Sequence, residues 1–370
     1  MKIALVSGFL NDHLLPLCEE LNKKGEFNFI ATQNLSGMQA QFKNVIHKDY
    51  VLRYYDSSEK QKAVSSVIDS DAVIFGGSSG ELLELRKKSN KLSFIYTERF
   101  FKKGSWRRFI PATRKLLNKQ FLENSDNLYV LCSGSFVAQD LKLIGFDTDR
   151  CFKFGYFPKV EPIVLEDSIL KKNNKKPKLL YVGRLIRLKR VKDILKCCKR
   201  LKSEGTDFEL NIVGDGPERK SLEKMCDKYN LDTVHFLGAK PSNEVFSLMA
   251  QSNVMYMTSN YLEGWGAVVN EALYNACPVI VSNACGSASY LIKNGENGHI
   301  YKMGNVKDLF DKTKLILQKG KTEDIYQSAH NTIKDEWNAK VAAHRFTMIV
   351  KAILENKDTN LYKDGPLSKS

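Results

Sequence analysis

Short apolar runs recur along the first half of the chain, and between them the apolar residues are spaced as in helices. The helical spacing is clearest at Leu14–Leu21, shortly after the first run. Apolar runs of this length that alternate with helices are typical of a parallel sheet covered on both faces. We therefore predict buried strands at Ile3–Val6, Phe27–Ala31, Ala72–Phe75, Leu92–Tyr96 and Leu128–Cys132.

The same pattern restarts in the second half, after a charged, proline-containing stretch at residues 171–178 that is typical of a linker. Trp337–Leu354 then has the spacing of one more amphipathic helix, and the polar residues beyond it favour a disordered tail. Two doubly wound α/β halves are the prediction. The strands predicted in the second half are Leu179–Val182, Leu210–Val213, Val234–Leu237, Val254–Met257 and Pro278–Val281.

Composition constrains the partners and the compartment. The 370 residues carry a formal net charge of +15, which favours a polyanionic partner such as nucleic acid, an anionic membrane or a phosphorylated substrate. The eight cysteines include no C-x-x-C pair, so we predict neither a zinc site nor a disulfide framework, and a reducing cytoplasm fits best. No apolar run reaches the ~20 residues of a membrane span, so we expect any membrane contact to be peripheral.

Two carboxylates stand eight residues apart in the segment Glu263-Gly264-Trp265-Gly266-Ala267-Val268-Val269-Asn270-Glu271. The glycines let the backbone approach a ligand closely, and a loop that leads into a helix offers free N–H groups suited to a phosphate. We place Glu271 about two turns into that helix. Taken alone, the spacing is common by chance and favours a surface helix with two solvated acids.

Two more glycine-containing segments follow predicted strands of the second half. Gly183, Arg184 and Lys189 set two cations after the first of these strands, where Arg can grip a diphosphate and Lys can add a point charge. Gly214 and Gly216 permit a tight turn after the next strand, at the sheet edge where open α/β folds bind ligands. Each segment alone also fits an ordinary turn or a basic helix start.

Together these motifs resemble a known family. The order Gly-Arg-x4-Lys, Gly-x-Gly-Pro and Glu-Gly-x-Gly-x4-Glu is similar to that of family-4 retaining glycosyltransferases, with the bacterial surface-polysaccharide enzymes as the nearest subgroup. His235–Gly238 and Asn294–Gly298 resemble smaller signatures of that family. The resemblance is strong over residues 179–300 and looser before them. It implies the GT-B fold, in which two Rossmann-like doubly wound domains face each other across a cleft.

The resemblance also implies roles for individual residues. Arg184 and Lys189 would hold the diphosphate of the donor, Glu263 would contact the transferred sugar, and Glu271 would bind the ribose hydroxyls. We count Arg184, Lys189 and Glu263 as catalytic. The remaining donor-binding candidates are glycines and loop residues at strand ends, namely Gly8, Gly183, Gly214, Gly216, Gly264, Trp265, Gly266 and Ala267.

One position departs from the family pattern. Many members carry a histidine in the first domain, where this chain reads Thr97-Glu98-Arg99. Glu98 is our fourth catalytic candidate, Arg99 is the alternative, and a loop ion pair is the competing interpretation. His13, after the first strand, is a lesser candidate for the reaction centre, and we favour its interpretation as a solvent-facing histidine.

Metal-binding carboxylates are not expected. The pairs Asp69-Ser-Asp71 and Asp147-Thr-Asp149 match the Asp-x-Asp pattern, but neither follows a strand, so we interpret them as turn or capping residues. We predict no metal and no cofactor beyond the UDP- or GDP-linked sugar donor.

Positive charge is concentrated between Arg86 and Lys119, where twelve Lys or Arg residues accompany one acid, Glu98. The aromatic residues Phe100, Phe101, Trp106 and Phe109 are interleaved with them. A basic surface with aromatics suits anionic lipid headgroups or a lipid-diphosphate acceptor, and a solvated basic helix is the alternative. Nucleic-acid binding is the least favoured interpretation, because no nucleic-acid motif is present.

These observations predict a retaining glycosyltransferase that moves a hexose or an N-acetylhexosamine to a glycan acceptor, lipid-linked, in surface polysaccharide synthesis. A catalytically silent GT-B scaffold that binds a nucleotide or a glycan is the alternative. We expect a cytoplasmic protein, peripheral on the inner face of the membrane. The predicted divisions are an acceptor domain at 1–158, a linker at 159–178, a donor domain at 179–336, a helix at 337–357 that crosses back to the first domain, and a disordered tail at 358–370.

Overall fold

The computed structural model describes residues 1–34, 48–77, 80–172, 176–318 and 322–370, so residues 173–175 of the predicted linker lie outside the described part. Its strands are β1 Lys2–Ser7, β2 Glu26–Ala31, β3 Val51–Arg53, β4 Ala72–Phe75, β5 Ser93–Thr97, β6 Leu128–Ser133, β7 Cys151–Phe154, β8 Lys178–Val182, β9 Glu209–Val213, β10 Val234–Gly238, β11 Val254–Met257, β12 Val279–Ser282 and β13 Gly298–Tyr301.

Helices connect these strands along the described chain. They are α1 Leu15–Asn22, α2 Lys60–Asp69, α3 Gly80–Lys88, α4 Pro111–Leu117, α5 Val137–Lys142, α6 Leu165–Leu170, α7 Val191–Ser203, α8 Arg219–Tyr229, α9 Ser242–Gln251, α10 Val268–Tyr274, α11 Ala288–Leu291, α12 Val306–Leu317, α13 Thr322–Asn331 and α14 Ala339–Leu354.

The strands form two parallel sheets, with the orders β3-β2-β1-β4-β5-β6-β7 and β10-β9-β8-β11-β12-β13. Central strands such as β4 and β11 are buried along their whole length, because helices cover both faces of each sheet. In each sheet the winding direction reverses once, between β1 and β4 and between β8 and β11. The predicted α/β class with two Rossmann-like sheets is confirmed.

Backbone contacts divide the chain into two compact units. The first unit comprises Met1–Lys159 together with Trp337–Ser370, and the second comprises Val160–Glu336. Within the first unit, α14 packs on α1, and the Phe346 ring contacts the Phe94 ring at 4.9 Å between centroids. The amphipathic helix predicted near the end of the chain is therefore part of the first unit.

The predicted linker is largely built into the second unit. Helix α6 lies within it, and the side chain of Lys172 is buried, with its ammonium donating to the carbonyls of Ser168, Ala250 and Asn275. A lysine-rich segment looks solvated in a sequence, but backbone carbonyls can satisfy a buried ammonium. The burial nonetheless lowers the pKa of Lys172 to about 8.

The prediction of a disordered tail at 358–370 is wrong. Leu367 and Ser368 are buried, and Lys369 pairs in antiparallel fashion with Phe152 of the edge strand β7. The Arg345 guanidinium of α14 donates to the carbonyls of Asp364 and Pro366. Polar composition misled the prediction because this segment is ordered through backbone hydrogen bonds, which composition does not report.

Candidate functional site

The sequence motifs of the second unit meet at one edge of its sheet. Strands β8 and β11 are neighbours at the reversal of winding, so the loops that follow them diverge to opposite faces. Ligands of open α/β sheets bind at this point, outside the carboxyl ends of the strands. Gly183–Lys189 follow β8 and Glu263–Glu271 follow β11, so the fold brings the two strongest motifs together.

Glycines allow the loops after β8 and β9 to touch. Gly183 N donates to Val213 O at 3.0 Å, and Leu185 N donates to Asp215 O at 2.8 Å. Gly214 has a φ of +123°, and a Cβ atom added there would lie 2.0 Å from Gly183 O. Any side chain at Gly214 would therefore force the two loops apart. The observed role of this glycine is loop packing, and its contact with a donor stays a prediction.

Lys189 and Glu263 form an ion pair that joins the loops after β8 and β11. Lys189 Nζ lies 2.5 Å from Glu263 Oε2, and each side chain is only 15% exposed. Ser259 Oγ also donates to Glu263 at 2.7 Å, and Thr258 Oγ1 donates to Lys189 O at 2.7 Å. Ser259 and Thr258 were not predicted, although they directly follow β11. The pair fixes both charged groups at the edge where a ligand would bind.

Arg184 differs from Lys189 in being exposed and uncommitted. No carboxylate of the described chain lies within ion-pair distance of its guanidinium. Tyr181 Oη donates to Arg184 O at 3.1 Å, so the backbone of this residue is anchored while its charged end extends into solvent. A guanidinium in that situation is available to an anionic ligand.

Glu271 has a carboxylate without a hydrogen-bond donor in the described residues, and it is largely buried. The burial raises the pKa of Glu271 to about 7. Its predicted place two turns into a helix is wrong, because α10 begins at Val268 and Glu271 lies in the first turn. Gly266, with a φ of +83°, prevents an earlier start. A largely buried carboxylate that has no hydrogen-bond donor among the described residues is suited to accept hydrogen bonds from ligand hydroxyls.

Buried contacts fix the segment between Glu263 and Glu271. The Trp265 ring is fully buried, and its Nε1 donates to Asn270 Oδ1 at 2.7 Å, so only the backbone of Trp265 can meet a ligand. Gly286 N donates to Gly264 O at 2.9 Å from the loop after β12. The amide N–H groups of Gly266 and Ala267 find no acceptor within the described residues. These amides are the available donors in the loop.

In the first unit, Glu98 and Arg99 of the Thr97-Glu98-Arg99 segment have different surroundings. Arg99 pairs with the buried Asp140 at 3.3 Å and stacks over the Phe136 ring, so it forms the loop ion pair. Asp140 also accepts from Phe101 N at 3.1 Å, which fixes the loop after β5. Glu98 forms an ion pair within the same loop, with Lys102, and it also lines a cavity, as described next.

A cavity of about 380 Å³ lies at the carboxyl ends of β1, β4, β5, β6 and β7. Glu98 accepts from Tyr156 Oη at 2.8 Å and from Lys102 Nζ at 2.6 Å. The His13 ring stacks on the Tyr156 ring at 5.4 Å and 12°, so the interpretation of His13 as a solvent-facing residue is wrong. Tyr156 was not predicted, because the four-residue strand before it was not recognised.

Gly8 follows β1, and its carbonyl accepts from Gln33 N at 2.9 Å.

The two Asp-x-Asp pairs lie at the opposite sheet edge. Asp71 precedes β4 and accepts from Lys2 N at 2.7 Å. Asp147 precedes β7 and caps a short 3-10 turn by accepting from Asp149 N at 3.0 Å. These contacts agree with turn and capping roles.

The basic region at 86–119 is only partly a surface. Arg86 is fully buried and donates to the carbonyls of Val67, Ile68, Asp71 and Leu92, and Lys87 and Phe101 are buried as well. Their inclusion in a surface patch was wrong, because carbonyl groups satisfy the buried cations. Residues 103–116 are here called the basic segment; in it Lys103, Arg114 and Lys115 are exposed, and Arg107 and Arg108 are partly exposed. Its most exposed apolar side chains are Trp106 at 59%, Phe109 at 71% and Leu116 at 63%.

Among the described residues, no helix is long and apolar enough to cross a bilayer.

Comparison with known proteins shows which family the second unit resembles and which fold the chain adopts. Residues 165–332 match the model of the family described as glycosyl transferases group 1. The sulfoquinovosyl transferase of Arabidopsis thaliana is 24% identical over 65% of this chain and 46% of its own. The capsular polysaccharide biosynthesis glycosyltransferase CapM of Staphylococcus aureus is 22% identical over 62% of this chain and 60% of its own. The chain thus spans about half to two thirds of these relatives' lengths.

Solved structures resemble nearly the whole chain. The Anabaena protein HepE in complex with UDP superimposes with a TM-score of 0.69 over 95% of this chain and 100% of its own, at 16% identity. The lipopolysaccharide outer core galactosyltransferase WaaB superimposes with a TM-score of 0.68 over 96% and 100%, at 18% identity. The fold is therefore GT-B. The family match in the second unit and the fold match over the chain confirm that this protein resembles the group 1 glycosyltransferases.

Proposed function

We propose that this protein transfers a sugar from a nucleoside diphosphate sugar to a glycan acceptor, with retention of configuration at the anomeric carbon. The observation that carries the proposal is the grouping of charges between β8 and β11. An uncommitted Arg184, the Lys189–Glu263 pair and an unpartnered Glu271 lie on loops that meet at the winding reversal of one sheet. A diphosphate flanked by a ribose and a sugar is a ligand that uses all three.

Each group has a proposed task. Arg184 binds the diphosphate and stabilises the negative charge that grows on it as the sugar departs. Lys189 adds a second positive charge, and Glu263 orients that lysine while it contacts the sugar hydroxyls. Glu271 accepts hydrogen bonds from the ribose. The backbone at Gly264, Gly266 and Ala267 lines the phosphates, and Gly183, Gly214 and Gly216 hold the loops in place.

In the transfer, the bond between the anomeric carbon and the phosphate oxygen breaks, and the acceptor hydroxyl oxygen bonds to that carbon. The transition state resembles an oxocarbenium ion, as in glycoside hydrolysis. The acceptor proton passes to the leaving phosphate, so no carboxylate nucleophile is needed. Glu98 of the first unit is the proposed catalytic contact on the acceptor side.

The relatives support a role in surface glycan synthesis. CapM is described as a capsular polysaccharide biosynthesis glycosyltransferase. WcaL of Escherichia coli, which is 24% identical over 47% of this chain and 45% of its own, is described as a putative colanic acid biosynthesis glycosyltransferase. HepE was solved with UDP and with UDP-glucose. We propose a UDP- or GDP-linked hexose or N-acetylhexosamine as the donor.

We also propose that the basic segment docks the protein on an anionic membrane that presents a lipid-linked acceptor. No acidic residue lies between Arg99 and Leu122 in the sequence. The Arg107 and Arg108 side chains lie over the Trp106 and Phe109 rings, at 5.9 Å and 4.5 Å from the ring centroids, so charge and exposed apolar surface coincide. Anionic headgroups attract the cations, and the aromatics can enter the headgroup layer.

A donor screen tests the proposal. The full chain is incubated with a panel of UDP- and GDP-sugars, with and without chelator, and release of the nucleotide and the anomeric configuration of the sugar product are measured by NMR. We expect slow turnover of one donor, with retained configuration and no dependence on a divalent ion. Binding of a nucleotide without turnover of any donor, in the presence of a glycan acceptor mixture, would instead indicate the silent scaffold. A product of inverted configuration would contradict the mechanism.

A further inference from the structure

The segment at residues 263–271 contacts the loops of two neighbouring strands. It follows β11, which lies between β8 and β12 in the sheet. The loop after β8 meets it through the ion pair of Lys189. The loop after β12 meets it through Cys285, Gly286 and Ser287, which lie outside the glycine and charge motifs. These three residues therefore bear on the candidate donor site although no motif includes them.

Two carbonyl groups of the segment accept hydrogen bonds from the loop after β12. Gly286 N donates to Gly264 O at 2.9 Å, and Ser287 N donates to Trp265 O at 3.2 Å. The Cys285 thiol donates to the same Trp265 O, with 3.0 Å between Sγ and O. Trp265 O thus receives one backbone donor and one side-chain donor, and a substitution can remove the side-chain donor alone.

The contacts of Trp265 O also set the direction of the Gly266 N–H. A trans peptide is planar, so its C=O and N–H bonds point in opposite directions. Because Trp265 O points at the loop after β12, the Gly266 N–H points away from that loop. The loop after β8, with Arg184 and Lys189, lies on the opposite side of β11. No acceptor for this N–H exists in the part of the chain that the structure describes, so it is available to an anionic ligand.

The Cys285 thiol acts here as a hydrogen-bond donor. It is fully buried, and burial raises its pKa to about 11, so the sulfur keeps its proton at neutral pH. Ser287 Oγ lies 3.5 Å from the sulfur, and its hydroxyl donates to Sγ while the thiol donates to Trp265 O. The sulfur also fills the space beside Gly266, where an added Cβ would lie 2.9 Å from Sγ and 2.7 Å from Met257 Cε.

We propose that Cys285 is a positioning residue of the donor site: its thiol orients the peptide between Trp265 and Gly266 so that the Gly266 N–H donates to the diphosphate. This inference rests on the proposed function. Cys285 itself does not touch the nucleotide, and it acts through Trp265 O. Serine and alanine at this position distinguish the hydrogen bond from the packing, because serine keeps a donor and alanine has none.

A single backbone resonance reports on this peptide. Trp265-Gly266 is the only Trp-Gly pair in the sequence. The full chain, labelled with carbonyl-¹³C tryptophan and ¹⁵N glycine, therefore gives one cross-peak in a spectrum that correlates a carbonyl carbon with the following amide. UDP and GDP are the probes. We expect the nucleotide that binds to shift this peak saturably, with the amide proton moving to lower field as it donates to a phosphate oxygen.

Three variants distinguish positioning from stability. Cys285→Ala should move the peak of the free protein and weaken nucleotide binding by about fivefold, because Trp265 O loses one of its two donors. Cys285→Ser should restore most of the affinity, since its hydroxyl donates to the same carbonyl. The matched control is Cys277→Ala, because Cys277 is also fully buried but precedes β12, at the other end of that strand. This control should lower the melting temperature and leave both the peak and the affinity unchanged.

The same samples separate this inference from the proposed function. A thermal shift with UDP or GDP shows whether a nucleotide binds. If one binds but leaves the Trp265-Gly266 peak in place, or if Cys285→Ala binds it as tightly as wild type, the inference is overturned and the proposed function stands. Equal weakening in Cys285→Ser or in Cys277→Ala would likewise overturn it, since packing would then explain the loss. If neither nucleotide raises the melting temperature, the proposed function fails and this inference fails with it.

Discussion

The winding reverses at an equivalent point in the two sheets, but different side chains surround the two points. In the second sheet, the loops after β8 and β11 carry Arg184, Lys189 and two glutamates. The cavity at the loops after β1 and β4 of the first sheet is instead lined by aromatic residues and by Glu98, which is paired with Lys102. Both places expose strand ends to a ligand. The fold therefore places strand ends at the same point of both sheets, and the side chains at each place decide which ligand can bind there.

We expect the largest effect on turnover from substitutions at the winding reversal of the second sheet. Arg184→Ala should lower the turnover number by about 10²–10³, because one lost contact to developing charge costs ~3–4 kcal/mol. Glu271→Ala should cost less, since it loses hydrogen bonds to ribose hydroxyls. Arg187→Ala, an exposed arginine three residues further on, is the control and should be near wild type. Turnover of Arg184→Ala equal to wild type at saturating donor would remove Arg184 from the mechanism.

The two units should also differ towards membranes. The variant Lys103→Ser/Arg107→Ser/Arg108→Ser should weaken sedimentation with anionic vesicles at least several-fold, because each basic residue near such a surface is worth ~1 kcal/mol. The matched control is Lys220→Ser/Lys224→Ser/Lys228→Ser, which removes three exposed lysines from α8 of the second unit. High salt should reduce the difference. Equal loss of binding in both triple variants would mean that net charge, and not the basic segment, governs adsorption.

The close packing at Gly214 can be tested by comparing the stability of alanine variants at Gly214 and Gly77. Gly214→Ala should lower the free energy of unfolding by at least about 2 kcal/mol, because a Cβ there would clash with Gly183 O. At Gly77, an added Cβ would meet no atom of the described residues within 4 Å, so Gly77→Ala should change the free energy of unfolding by less than about 0.5 kcal/mol. Calorimetry measures both. Similar melting curves for the two variants would contradict the tight packing of the loops after β8 and β9.

A smaller effect is expected from pH. Burial raises the pKa of Glu271 to about 7, and ribose hydroxyls donate to the ionised form. Affinity for a donor should therefore rise by about tenfold between pH 6 and 8 and level off above, as one proton is lost. UDP-glucose and GDP-mannose are suitable ligands because their diphosphates do not titrate in this range. Glu271→Gln should remove the slope, and an identical slope in that variant would assign it to another group.

The strands and the donor motifs could be predicted because they are local in sequence. Buried parallel strands appear as apolar runs, and the glycine and charge motifs follow them directly. Strands β3, β7 and β13 were not predicted, since three or four residues with polar neighbours give too weak a pattern. Missing β7 also concealed Tyr156, which becomes a site candidate only when it is known to follow a strand.

Buried charges and ordered tails could not be predicted, because both depend on distant backbone. Arg86 is buried through four carbonyls from three segments, and residues 358–370 are held by β7 and α14. The Lys189–Glu263 contact joins residues 74 positions apart. Sequence motifs indicated that both residues belong to one site, but only the fold showed that they pair with each other.

A crystal structure of the chain with bound UDP or GDP tests the central claim most directly. The account predicts that the diphosphate contacts the Arg184 guanidinium and the backbone at Gly264–Ala267, and that the ribose hydroxyls donate to Glu271. A nucleotide held only by residues 1–158 would contradict the assignment of the donor site to the second unit.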